Sequence, residues 1–232
     1  MAAVKVIYED NHLLVVEKPY GVPSQADETG DADMLSLCKA YIKEKYQKPG
    51  DVYLGLVHRL DRPTGGVMVF ARTSKAAARL TAQIQSRTFD KTYLAVLTAE
   101  PPEQAGILTH WLVKDETAHI ARVADKSAPV ADKSAPGAKL AELEYETLAQ
   151  RDGLVLVRIR LLTGRFHQIR AQMAAVGCSV HGDMKYGARD IKAPLALFAY
   201  KLCLDHPTKG ERLCFTVWPA RHPFTLFDML DD

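Results

Sequence analysis

Residues 57–66 read Val-His-Arg-Leu-Asp-Arg-Pro-Thr-Gly-Gly, and the five that follow, Val67-Met68-Val69-Phe70-Ala71, are all apolar. One acid, Asp61, stands among His58, Arg59 and Arg62. Pro63-Thr64-Gly65-Gly66 is a turn signal, and the apolar run after it has the length of a buried strand. The spacing therefore sets a carboxylate at the mouth of a strand, on backbone shaped by glycine. An acid beside arginines stays ionised and oriented, as a nucleophile or general base must be. The same residues also suit a plain surface turn whose Asp pairs with a neighbouring Arg. Spacing alone leaves both readings open.

Outward from this stretch, the chain alternates at first and then turns mostly to strand. Val4–Tyr8 and His12–Glu17 are β-rich runs around a turn-forming Glu9-Asp10-Asn11, which predicts a hairpin. Lys18-Pro19-Tyr20-Gly21-Val22-Pro23 reads as an ordered loop. Met34, Leu37, Cys38, Tyr41 and Ile42 recur at helical spacing and predict a helix over roughly 32–46. A strand is expected at 53–58, then 67–71, then a helix over about 75–86 capped by Thr73 or Ser74 that turns Lys75 and Arg79 outward. Strands are expected at 89–97, 107–113, 118–123, 141–149, 154–162, 197–205 and 212–217. Between them a helix over about 166–176 ends at Gly177. A last helix is expected from Pro223 through Met229.

Val123–Pro129 and Val130–Pro136 are the same seven residues, VADKSAP, in tandem. Small, polar and proline-containing, residues 123–138 read as a flexible loop or linker, the duplication being an insertion tolerated at an exposed site. The other reading is a finger that grips RNA through Lys126 and Lys133.

With 47% hydrophobic and 25% charged residues over 232 positions, the composition is that of an ordinary soluble protein able to bury a core. No apolar run approaches the roughly 18–20 residues that span a bilayer, and no signal-peptide core precedes the first acid. A cytoplasmic protein without membrane contact is expected. Cys38, Cys178, Cys203 and Cys214 form no CxxC pair and read as buried free thiols. The net charge of +2 is unevenly spread. Residues 55–91 and residues 154–192 each hold seven Lys or Arg against two acids, leaving −8 for the remainder. Such segregation suits a polyanion-binding cleft, although ordinary solvated faces would give the same count.

The motifs resemble those of a known family. His58-Arg59-Leu60-Asp61 followed by Thr64-Gly65-Gly66 is similar to the HRLD-x-x-T-S-G signature of RluA-type RNA pseudouridine synthases, with Gly65 where that family usually has Ser. Lys91-Thr92-Tyr93-Leu94-Ala95 resembles its K-x-Y-x-A segment, and Thr163-Gly164-Arg165-Phe166-His167-Gln168-Ile169-Arg170 its T-G-R-x-H-Q-I-R segment. Gly182-Asp183, Tyr186-Gly187 and His206-Pro207 follow in order. A second departure is Leu197-Phe198-Ala199, where many relatives read Leu-His-Ala.

This resemblance implies an α+β pseudouridine-synthase core: a long mixed, mainly antiparallel sheet with flanking helices and a central active-site cleft. It implies one catalytic domain over residues 1–232, without a separate RNA-binding module ahead of it. The implied reaction isomerises uridine in ribosomal RNA or tRNA to pseudouridine and requires no metal or redox cofactor. The partner is RNA with a flipped-out uridine, and a monomer is expected. Asp61 matches the catalytic aspartate. Arg165 matches the arginine that pairs with it, a phosphate contact being the alternative. Tyr93 matches the tyrosine that packs on the uracil, a core tyrosine being the alternative. Arg59 matches a residue that fills the gap left by the flipped base, and Ile169 an apolar wall for the uracil. Arg62, Lys91 and Arg170 are expected to contact RNA, Lys91 alternatively being structural. His58 and His167 are expected to satisfy local hydrogen bonds. Two other classes remain: an inactive RNA-binding protein of the same fold, and a metal-dependent phosphoesterase using His58, Asp61 and His167 as ligands.

Overall fold

The computed structural model describes residues 4–124, 137–187 and 193–227. The tandem repeat falls on 125–136 and so lies outside the described residues, apart from its first two positions. The described chain divides into two compact units, Met1–Lys91 with Ala199–Val217, and Thr92–Phe198 with Trp218–Asp232.

In the first unit the chain runs β1 (Lys5–Glu9), β2 (Leu13–Lys18), α1 (Met34–Lys45), β3 (Gly55–Leu56), β4 (Gly65–Ala71) and α2 (Ser74–Gln85). It is completed by most of β10 (Leu197–Asp205) and by β11 (Arg212–Thr216). β2 pairs antiparallel with both β1 and β4, and β10 adjoins β4 and pairs antiparallel with β11. The expected hairpin forms because Asp10 closes its turn, its carboxylate accepting from the amides of His12 and Leu13 at 2.7 Å each. Leu13–Val16 are all fully buried. A strand covered on both faces reads as a continuous apolar run instead of an alternating one. Leu13, Val15, Val67, Val69 and Ala71 share one face and pack with Ala76 and Leu80 of α2 and with Phe89, Leu202 and Phe215. Both helices begin as expected, Asp33 capping α1 and Thr73 capping α2.

The strand expected at 53–58 shrinks to β3, two residues paired with β4. Beyond it the backbone leaves the ladder and a side chain takes its place: Val69 N–H donates to His58 Nε2 at 3.1 Å. Cys203 and Cys214 correct the free-thiol expectation. The β10–β11 register sets them directly opposite, with Cα atoms 4.1 Å apart, and they form a disulfide. Cys38 and Cys178 are free and buried. Pairing between cysteines eleven residues apart depends on strand register, which cysteine spacing does not reveal.

The second unit is built on β5 (Asp90–Leu97), β9 (Leu154–Leu161), β8 (Lys139–Arg151), β6 (Ala105–Asp115) and β7 (Ile120–Val123), adjacent in that order. The β9–β8–β6–β7 pairings are antiparallel. Along β8 the buried Ala141, Leu143 and Tyr145 alternate with Glu142, Glu144 and Glu146. Glu144 and Glu146 lie opposite Arg160 and Arg158 of β9 and pair with them at 3.3 and 2.9 Å. Helix α3 (Gln168–Ala175) packs Ala171 against Leu112, Ala121 and Ala141. It ends as expected: Gly177 takes φ +86°, its N–H reaches Ala174, and the N–H of Cys178 reaches Met173. Where a final helix was expected there is one 3-10 turn, Phe224–Leu226, and residues 228 and 229 lie outside the described residues. No helix among the described residues is long and apolar enough to cross a membrane.

Candidate active site

In the first unit the Asp61 turn is built by ties on both sides. Thr64 N–H donates to the Asp61 carbonyl at 2.9 Å, closing a four-residue reversal just ahead of β4. Upstream, the buried Ser24 hydroxyl accepts from Leu60 N–H at 3.0 Å and donates to Leu60 O at 2.7 Å. Downstream, Gly66 has φ +121°, and a Cβ there would lie 2.2 Å from the Ala199 carbonyl of β10. No side chain fits where β4 leaves the turn. The loop over residues 18–24 is thus one wall of the turn, an arrangement its Pro and Gly content did not disclose.

Lys18, which the sequence reading left without a role, is completely buried below this turn. Its ammonium donates to Pro19 O at 3.0 Å and Arg62 O at 3.1 Å. Burial pushes its pKa down to about 7, Asp61 acting to hold the proton and Arg62 to drive it off. A signal was available: alternation along β2 puts Lys18 on the same face as the buried Leu14 and Val16.

The cations expected at RNA separate into two groups. Arg59 is exposed and has no hydrogen bond or ion pair among the described residues. Arg62 is already engaged: Nε donates to Gly21 O at 3.0 Å, and the guanidinium pairs with Asp31, Thr29 and, at 3.6 Å, Asp27. Burial lowers the pKa of Lys91, and Lys91 in turn acts on His58. Burial and that charge push the His58 imidazole down to about 3. His58 is therefore neutral, and because Nε2 accepts from Val69, its proton sits on Nδ1. It fills the structural role expected of it.

In the second unit Tyr93 lies on β5, 7% exposed. Arg165 is exposed, with Nε donating to Leu140 O at 2.8 Å. Its backbone is held by Gln168, whose Oε1 accepts from Arg165 N–H at 2.9 Å and from the Thr163 hydroxyl at 2.8 Å. Gln168 Nε2 donates in turn to Glu142 O at 3.0 Å. One buried amide thus shapes the loop that presents Arg165, and the sequence reading had assigned Gln168 nothing. Ile169 is buried in α3.

Arg170 requires a correction. Expected at RNA, it is 5% exposed and forms a fork with Asp183, Nε to Oδ2 at 2.6 Å and Nη2 to Oδ1 at 2.7 Å. Nη1 meets His167 Nε2 at 3.0 Å, and His167 Nδ1 meets the Tyr186 hydroxyl at 3.0 Å. An arginine can only donate, so Nε2 accepts and Nδ1 carries the proton. Burial, with Arg170 and Lys185, lowers the His167 pKa to about 3. Tyr186 also receives Ala121 N–H at 2.6 Å. Gly182, with φ +73°, passes so close to Pro194 that a Cβ would lie 2.4 Å from its carbonyl. The Gly182-Asp183 and Tyr186 motif is therefore a scaffold beneath α3. The basic-cleft reading narrows accordingly, because Arg62, Arg72, Arg158, Arg160 and Arg170 all pair with carboxylates of this chain.

Residues 12–175 match the family model described as RNA pseudouridylate synthase. The chain is 31% identical over 217 residues to the dual-specificity RNA pseudouridine synthase RluA of Yersinia pestis, covering 90% of this chain and 96% of that protein. It is 32% identical over 210 residues to an uncharacterized RNA pseudouridine synthase, YhcT, of Bacillus subtilis (strain 168), covering 89% of this chain but only 65% of the relative. Human RNA Pseudouridylate Synthase Domain Containing 4 superposes with a TM-score of 0.78 at 24% identity, over 95% of this chain and 90% of that one, a likeness of fold.

Proposed function

Because the chain belongs to the RNA pseudouridylate synthase family, we propose that it isomerises a uridine of ribosomal RNA or tRNA to pseudouridine, with Asp61 as the catalytic carboxylate. The observation that carries this reading is the Asp61 turn itself. Its backbone is closed by Thr64, pinned through Leu60 by Ser24, and denied any side chain at Gly66. A carboxylate beside a buried ammonium stays ionised, and a rigid turn holds it in one attack geometry.

In the proposed reaction the target uridine leaves the base stack, at a cost of a few kcal/mol. Arg59, exposed and uncommitted, is suited to fill the gap, since a guanidinium both stacks on bases and binds phosphate. The bond between uracil N1 and ribose C1′ breaks while Asp61 attacks the nucleotide or stabilises the opened sugar. The base turns over, C5 bonds to C1′, the C5 proton leaves and N1 takes one up, so no atom is gained or lost. Tyr93 would pack on the uracil and assist the C5 proton, Ile169 would wall the base, and Arg165 would pair with Asp61. Lys91 is assigned to structure or to RNA. Nothing is oxidised and no phosphoryl group moves.

Metal-dependent phosphoesterase chemistry is disfavoured by the histidines it would use. His58 Nε2 is occupied by Val69, and both nitrogens of His167 are engaged. The deciding experiment is Asp61→Asn, isosteric and lacking only the charge. Tritium release from RNA carrying 5-tritiated uridine should be lost with folding and RNA affinity kept. Turnover near wild type would refute the assignment, and an unmodified chain that binds RNA but never releases tritium would support the inactive-binder alternative.

A further inference from the structure

Of the seven phenylalanines in the chain six are buried, and Phe166 alone keeps an exposed ring, at 38%. A phenyl ring has no polar handle, so leaving it in water forfeits the gain that burial would bring. Part of its surface is covered: it stacks on the His167 imidazole, with centroids 3.9 Å apart and planes 18° from parallel. That imidazole is held in place, because Nε2 meets Arg170, Nδ1 meets Tyr186, and the Tyr186 ring stands edge-on at 5.7 Å. Phe166 is therefore backed by a fixed plane. The Lys114 ammonium of β6 lies 5.3 Å from the Phe166 centroid. Its pair with Glu116 is exposed on both sides, and such pairs contribute little. In the T-G-R-x-H-Q-I-R segment Phe166 fills the position that the motif leaves open.

We propose that Phe166 is a stacking platform for a base of the RNA substrate other than the target uracil, with Lys114 as the cation for that nucleotide's phosphate. The proposal rests on reading the substrate as RNA, and it does not depend on the role of Asp61. A nucleotide is a flat base joined to an anion, and a flat ring beside a cation is its complement. The base takes the open part of the phenyl ring, and the Lys114 ammonium exchanges Glu116 for a phosphate oxygen. Because His167 already fixes the plane, little ordering is left to be done on binding. Every base has a π face, so the platform accepts any of the four and favours those that stack most strongly. A loop needing only a cover for His167 and the Arg170–Asp183 fork would be served by any apolar side chain. A platform needs an aromatic one.

The test measures Kd by fluorescence anisotropy for a labelled oligoadenylate and for an abasic ribose-phosphate oligomer of equal length, across a salt series, with thermal melts alongside. Phe166→Leu and Phe166→Ala should weaken oligoadenylate binding about tenfold at an unchanged salt slope, and leave the abasic oligomer unaffected. Phe166→Tyr should stay within about threefold of wild type. Lys114→Gln should reduce the slope of log K against log salt by roughly one unit on both oligomers. Phe166→Trp supplies a direct probe: oligoadenylate, and not the abasic oligomer, should quench its emission beyond any change that wild type shows through Trp111 and Trp218. If Phe166→Ala does not fold, Phe166→Leu decides. Wild-type affinity in Phe166→Leu, or an equal loss on both oligomers, would overturn the proposal and assign the ring to covering His167 or to an occupant other than RNA. A wild-type chain that binds neither oligomer also overturns the platform. If that chain fails as well to release tritium from bulk RNA carrying 5-tritiated uridine, the RNA reading falls with it.

Discussion

At the scale of single residues, two glycines with positive φ show what backbone freedom alone does not settle. Gly21 has φ +82° with no atom within 4 Å of where a Cβ would stand, whereas Gly66 at φ +121° would put its Cβ 2.2 Å from the Ala199 carbonyl. Gly21→Ala should cost only the conformational strain, about 1–2 kcal/mol, lowering the melting temperature by a few degrees. Gly66→Ala adds a collision with backbone that cannot rotate away. It should cost several kcal/mol and lower the midpoint by about 10 °C or more, measured by differential scanning calorimetry. Equal midpoints for the two variants would show that β10 yields at Ala199. The turn signal at Pro63-Thr64-Gly65-Gly66 was plain in the sequence; the approach of a distant strand that makes Gly66 indispensable was not.

At the scale of elements, α3 illustrates how one motif divides between chemistry and support. Its amino-terminal approach presents Arg165 to solvent, while Arg170, one and a half turns further on, is buried against Asp183. Removing one partner of a buried ion pair strands the other charge, so Arg170→Met should destabilise the protein by about 3–5 kcal/mol. Asp183→Leu in the same background should recover much of that loss. Arg170 supplies no phosphate contact in this arrangement, so the salt dependence of RNA binding should keep its slope when measured on folded protein. Arg59→Ala should behave oppositely, leaving the melt unchanged and reducing the slope of log K against log salt by roughly one unit. If Arg170→Met proves stable yet weakens RNA binding with a reduced slope, the assignment of the pair to structure is wrong. Residue type and order suggested RNA contact for both arginines, because a cationic side chain looks the same in sequence whether its partner is a phosphate or a buried Asp.

Across the whole molecule, buried ionisable groups set the acid limit of stability. His58 and His167 have their pKa values lowered to about 3, both chiefly by burial. In the unfolded chain they titrate near 6.5, so between roughly pH 6.5 and 3 the unfolded state binds more protons and stability falls as pH falls. Asp10 follows at lower pH. Burial raises its pKa, but the amides of His12 and Leu13, His206 at 2.6 Å and Tyr8 outweigh that and bring it to about 2. That contribution, on the order of 2 kcal/mol, is present above the unfolded value near 3.8 and disappears as pH drops toward 2. Lys18, with its pKa lowered to about 7 against an unfolded value near 10.5, adds a loss above that range, so chemical denaturation should give stability that already falls from pH 8 to 6.5 and goes on declining below it. Asp10→Asn should lose stability at pH 7 and show a shallower fall below pH 4. A stability curve flat to pH 4 would mean that both imidazoles can be protonated in place.

The sequence by itself determined the hairpin, the first three helices, the Thr73 cap and the order of the motifs, because periodicity, capping and turn chemistry act over a few residues. Gly177 announced the end of α3. Asp61, on a turn ahead of an apolar strand, could be singled out for the same local reason. Tertiary structure alone decided the rest. Strand register joined Cys203 to Cys214, a side chain of His58 continued the β4 ladder where β3 stops, and burial separated Arg170 from Arg165. Lys18 is the sharpest case: a lysine in a Lys-Pro-Tyr-Gly loop is ordinary, and only the return of residues 61–62 over β2 makes it a buried charge. Partners separated by 11 residues, as Cys203 and Cys214 are, or by 44, as Lys18 and Arg62 are, are chosen by the packed fold, through register, close approach and desolvation, and no short-range pattern carries that information.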